Sequence, residues 1–260
     1  MSVAYYAGAV TTDAPPLRTL RLIVEYDGTD FSGWQRQAGQ RTVQQCLEEA
    51  FAVMTGEPVC VRGAGRTDAG VHADGQVASV EVASRIPALG FMRGLNSNLP
   101  RDIAVLDVAD MPAGFNARWG ARGKIYRYLI WNHPVRSPRR SRDSWQLFAP
   151  LDVHAMREAA ALFCGEHDFR AFRAADCERR TTVRVLRRFD VHRDGGLITC
   201  EVEGTAFLKN MVRILVGTLV AVGHGKMAAA TISELLTHGD RTKAGMTAPA
   251  CGLTLAKVIY

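Results

Sequence analysis

The chain has 260 residues, 47% hydrophobic and 22% charged, enough to bury a substantial core and too apolar for a disordered polymer. Thirty-two Lys and Arg against 26 Asp and Glu give a formal charge of +6, which suits a polyanionic partner without requiring one. Six scattered cysteines form no C-x-x-C pair and suggest no zinc site, and the apolar run Ile214–Gly223 is too short to span a bilayer; a cytoplasmic protein with no membrane contact is expected.

Residues 1–16 read as a flexible tail ending in Pro15-Pro16. Leu20, Leu22, Val24 and Tyr26 then alternate with Arg21, Ile23 and Glu25, a strand pattern, and the loop Asp27–Gln35 follows. Thr42 and Gln45 make a capping box. Behind it Val43, Cys46, Leu47, Ala50, Phe51 and Met54 keep one apolar helical face until Gly56. Strands are expected at Val59–Val61 and Val77–Val82, a helix after Pro87 through Leu95, and a strand at Ile103–Val108.

The second half has a comparable order. Lys124–Trp131 reads as a strand, and Asp152 caps a helix that runs to Gly165. Val183–Val191 and Leu197–Val202 are strands joined by a turn at Asp194-Gly195-Gly196. An apolar helix from Phe207 to Val222, a short helix after Thr231 and the strand Leu253–Tyr260 close the chain. Each half therefore mixes antiparallel strands with helices, an α+β pattern.

Three positions carry candidate chemistry. Asp68 sits in Gly65-Arg66-Thr67-Asp68-Ala69-Gly70-Val71-His72, between glycines that permit a tight connection and close approach of a partner. Residue type alone leaves a turn aspartate and a carboxylate nucleophile both open. Arg213 interrupts an apolar helix, where it either reaches solvent along its stem or meets a buried anion. Asn210 and Gly217 share its helix face, a polar notch. Tyr126 and Tyr128 share one strand face, a pattern that serves packing as well as catalysis. Two arginine-rich stretches, Arg118–Arg142 and Arg179–Arg193, favour nucleic acid; Trp119, Tyr126, Tyr128 and Trp131 are interleaved in the first. His72 reads as a structural hydrogen-bonder, and no dinucleotide or phosphate-loop fingerprint is present.

The string Arg66-Thr67-Asp68-Ala69-Gly70-Val71-His72 resembles the catalytic loop of the tRNA pseudouridine synthase A family. Phe207-Leu208 with Met211-Val212-Arg213 and Val216-Gly217, Phe115 with Ala117-Arg118, and Tyr126 with Tyr128 resemble further motifs of the same family. Tyr26-Asp27-Gly28, Phe31-Ser32-Gly33-Trp34-Gln35 and Gly165-Glu166-His167-Asp168-Phe169 extend the likeness beyond the first seventeen or so residues. Thr181-Thr182-Val183-Arg184 departs from the family form.

The resemblance implies two ferredoxin-like α/β domains, 17–115 and 116–260, around an extended antiparallel sheet, with the active site between them. It implies an isomerase that converts uridine to pseudouridine at positions 38, 39 and 40 of the tRNA anticodon stem-loop. Asp68 is then the nucleophile, whether it attacks ribose or base. Arg213 is its ion-pair partner, holding it in orientation and its pKa low. Tyr126 stacks on the uracil and takes part in proton transfer, and Arg66 and Arg118 contact the substrate. No cofactor or metal is implied, and a homodimer is. The alternative is a non-catalytic RNA-binding protein on the same fold, against which the intact Asp, Tyr and Arg set argues.

Overall fold

The alternation read in the first strand decides how the chain is layered. The computed structural model describes residues 15–260, so the tail expected at 1–16 lies almost wholly outside the described residues. Strands occupy Leu17–Tyr26 (β1), Arg62–Gly63 (β2), His72–Ala83 (β3), Ile103–Met111 (β4), Gly123–Asn132 (β5), Trp145–Leu147 (β6), Gly165–Asp168 (β7), Val183–Asp194 (β8), Leu197–Gly204 (β9) and Leu253–Ile259 (β10). Helices occupy Val43–Thr55 (α1), Ala88–Asn98 (α2), Val153–Ala161 (α3), Met211–Gly223 (α4) and Ala230–His238 (α5). In β1, Leu20, Leu22, Val24 and Tyr26 are buried while Arg21, Ile23 and Glu25 are not, and β5 repeats this with Tyr126, Tyr128 and Ile130. Period-two burial gives the sheet one helix-covered face and one open face.

All described strands join one sheet, in the order β4-β1-β3-β10-β5-β9-β8-β7, with β2 on β3 and β6 on β5. The pairings are antiparallel except β10 with β3 and β5 with β6. The closing strand, β10, thus sits between the two halves. Leu255 is in register with Ala73 on one side and Tyr126 on the other. Two strand spacings, about 10 Å, therefore separate the exit of the Asp68 loop from the tyrosine strand.

The expected α1 is present, ended by Gly56 in the left-handed conformation at φ 75°. Only half of its capping box forms: Thr42 Oγ1 accepts from the Gln45 N–H at 3.4 Å, while the Gln45 amide turns to Glu49. Four other expectations need correction. The helix capped by Asp152 stops at Ala161, and Gly165 instead opens β7. Val59–Val61 is not a strand, because α1 side chains take its backbone: Glu48 accepts from the Val61 N–H and Gln44 donates to the Val61 carbonyl. The strand after the Asp68 loop starts at His72, earlier than Val77. Helix α4 starts at Met211 rather than Phe207, because Asn210 adopts φ 60° and breaks the helical path.

Candidate active site

The loop between β2 and β3 is clamped through its backbone. Ala64 N–H donates to Val77 O (2.7 Å), Gln76 Nε2 donates to Gly65 O (2.9 Å), and Trp34 N–H donates to Thr67 O (3.1 Å). The Tyr26 hydroxyl meets Thr67 Oγ1 at 2.8 Å. The preceding loop fits against this one only because it carries glycines. A Cβ on Gly28 would lie 2.0 Å from Val71 O, and one on Gly33, which has φ 94°, would lie 2.7 Å from Thr67 O. His72 closes the loop: Nδ1 lies 3.1 Å from the Gly28 backbone nitrogen and 3.2 Å from Asp27 Oδ1, and Nε2 faces Cys251 O at 3.1 Å. None of these bonds uses the Asp68 side chain, which is left to face the N-terminal end of α4.

Asp68 is half-buried, and the N-terminal end of α4 supports its charge. Burial raises its pKa; the Arg213 guanidinium, the Lys209 ammonium and the Asn210 backbone N–H pull the other way, and the net shift is upward. The direction is the physics of a carboxylate taken from water and met by a helix N-terminus and cations held at a distance. Arg213 itself is pinned by neutral oxygens. Its Nε donates to Ala248 O at 2.6 Å and its Nη1 to Asn210 Oδ1 at 2.9 Å, while Arg213 O accepts from the Ala248 N–H. The Asn210–Arg213–Gly217 face is thus no open notch: the segment 245–248 lies along it, so close that a Cβ on Gly217 would sit 1.9 Å from Met246 O.

Tyr126 is buried, its ring edge-on to Phe207 with centroids 5.1 Å apart. Burial raises the phenol pKa, and the neighbouring Tyr26 and Asp68 raise it further, so Tyr126 stays protonated at neutral pH. The structure therefore brings Asp68, Arg213 and Tyr126 into one neighbourhood from a loop, a helix and a strand. Arg66 and Arg118 are exposed at its edge; Arg66 Nε donates to Gln35 Oε1 at 3.0 Å.

The sequence matches the tRNA pseudouridine synthase family over residues 22–119 and 159–260. The chain belongs to that family. Proteins called tRNA pseudouridine synthase A are similar to it nearly end to end. The one from Geotalea uraniireducens is 48% identical across 94% of this chain and all of its own length. The one from Pelobacter propionicus is 49% identical over the same shares, and that of Myxococcus xanthus 48% identical over 93% of this chain and 91% of its own. The matched segments contain Asp68 and Arg213; Tyr126 falls between them, inside the span shared with the relatives.

For a pseudouridine synthase, two sequence expectations about this site need correction. Among the described residues no ion pair or side-chain hydrogen bond joins Asp68 to Arg213, whose Nε and Nη1 turn instead to Ala248 O and Asn210 Oδ1. The Asp68 pKa is raised rather than held low, because burial outweighs the cations. Tyr128, on the same strand face, is buried and donates to Pro249 O at 2.8 Å.

The sequence named Tyr26 and Trp34 only as parts of longer motifs, with no sign that they clamp the loop, and Gln76 was missed altogether. Gln76 is fully buried in the middle of a strand, and a polar residue between Gly75 and Val77 was the available signal. A cavity of about 530 Å³ lies on the open face of the sheet and includes none of the three candidate residues. Ion pairs Arg127–Asp74 and Arg142–Asp27 line it. Among the described residues no cluster of metal-ligating side chains occurs, and no helix is long and apolar enough to cross a membrane.

Proposed function

We propose that this protein converts uridine to pseudouridine at positions 38, 39 and 40 of the tRNA anticodon arm, with Asp68 as nucleophile. The observation that supports this most is the meeting of Asp68, Tyr126 and Arg213 from three separate elements, in a chain whose family acts by isomerisation. The bond from uracil N1 to ribose C1′ breaks, the base turns, and a bond from C5 to C1′ forms. The C5 proton leaves and N1 gains one, so atoms balance without a co-reactant. The base enters by leaving the RNA stack.

Each neighbour has a distinct role. Tyr126, fixed by Phe207, gives the uracil a flat surface while it turns. Arg213 supports the carboxylate from a distance and keeps its own place through Ala248 and Asn210. Arg66 and Arg118 meet the RNA at the edge. The halves 17–115 and 116–260 act as two α/β units that share the sheet, and two copies of the chain form a homodimer.

Asp68→Ala tests this reading. It should keep tRNA affinity and abolish pseudouridine in anticodon-arm transcripts, a loss on the order of 10⁴-fold or more. Retained modification would refute the assignment of Asp68. Wild-type protein that binds tRNA and modifies nothing would favour the non-catalytic RNA-binding protein.

A further inference from the structure

Lys124 precedes Tyr126 by two residues on β5, so both side chains rise from the helix-covered face of the sheet. Its stem crosses the catalytic loop: a Cβ on Gly65 would lie 3.0 Å from Lys124 Cε and 3.1 Å from Nζ. Its partners across the ladder are Gly204 and Val258, and neither brings a charge. The ammonium makes no hydrogen bond or ion pair among the described residues.

The two charged groups that act on it, Arg118 and Arg179, are both cations. Arg118 and Arg179 push the Lys124 pKa down, after burial, which is the larger cause. Arg179 also stands beside Arg184, whose Nε is buried without a hydrogen-bond partner. Arg184 Nη1 donates only to Val183 O and Thr181 Oγ1. Like charges gathered around a half-buried ammonium disfavour one another until an anion arrives. Lys124 and Tyr126 stand about 7 Å apart along β5, within the span of one nucleotide, so a base against Tyr126 would bring a backbone phosphate within reach of the ammonium.

We propose that Lys124, Arg118 and Arg179 form a phosphate-binding subsite beside the catalytic loop, which takes the RNA backbone phosphate next to the target nucleotide. It rests on the RNA substrate of the proposed function, and adds Lys124 and Arg179 to the residues that hold it. Lys124 supplies a point charge close to the base pocket, and the two guanidiniums supply forked donors from the rim.

The test is tRNA affinity of the full-length protein, measured over a series of KCl concentrations. Lys124→Met and Arg179→Gln should each weaken binding and reduce the slope of log K against log salt by about 0.7–1, one phosphate contact. Lys124→Arg should keep the wild-type slope. So should Arg188→Gln, whose arginine is paired with Asp190 and Glu201 on the open face. A merely structural lysine would change stability or turnover and leave the slope alone. Unchanged slopes for both Lys124→Met and Arg179→Gln in an active enzyme would overturn the subsite. Should Lys124→Met fail to fold, Arg179→Gln decides, since Arg179 is exposed. Loss of the underlying function would show separately, as wild-type protein that forms no pseudouridine.

Discussion

The two faces of the sheet use charge in opposite ways. On the open face cations meet carboxylates: Arg127 with Asp74, Arg21 with Asp107, Arg187 with Glu203, and Arg188 with Asp190 and Glu201. On the helix-covered face, Asp68 and Lys124 are more deeply buried, and neither forms an ion pair. Exposed pairs contribute little to stability, about 0–1 kcal/mol each. Half-buried charges without an ion-pair partner raise the energy of the free protein, and become favourable when a ligand completes them. Charge left unsatisfied in a well-braced frame therefore marks the working face.

That contrast can be broken by mutation, starting where the effect is largest. Arg213→Gln removes the strongest charge that opposes burial of the Asp68 carboxylate and should slow pseudouridine formation by about 10²–10³-fold. Arg213→Lys should recover part of that loss, because the charge survives and the fork does not. Tyr126→Leu removes the flat surface offered to the base and should cost about 1–3 kcal/mol of binding or turnover. Tyr126→Phe keeps the ring and should retain most of that energy, so steady-state kinetics on the pair separate stacking from the hydroxyl.

Gln76→Leu leaves Gly65 O without its donor, and denaturant unfolding should register about 1–3 kcal/mol of lost stability. Turnover should fall with it, as the loop loosens. At the small end, Arg127→Gln breaks an open-face pair and should change stability by at most about 1 kcal/mol, with the pseudouridine rate unaltered.

Much of this was legible in the sequence, for reasons particular residues make plain. Period-two alternation in Leu20–Tyr26 and the helical spacing of Val43–Met54 are local, and both elements stand as read. Gly28 and Gly33 advertised a loop, though not that it packs against Val71 and Thr67. What stayed hidden was tertiary. No local pattern says that Glu48 and Gln44 will draw Val61 out of a strand, or that Asn210 will turn left-handed. The Asp68–Arg213 relation was half visible. The motif brings the two residues together, but the carbonyl that holds Arg213 belongs to Ala248, on a segment the helix pattern does not contain.

Dependence of the single-turnover pseudouridine rate on pH, compared between wild type and Arg213→Gln, is the most direct test of how Asp68 is poised. Its raised pKa means the active carboxylate appears only as pH climbs above the ordinary aspartate range. Removing Arg213 takes away the leading cause that lowers that pKa. The acid limb of the mutant should therefore move to higher pH, with a depressed plateau. A depressed plateau with the limb in its wild-type place would contradict the claim that Arg213 acts on the Asp68 charge.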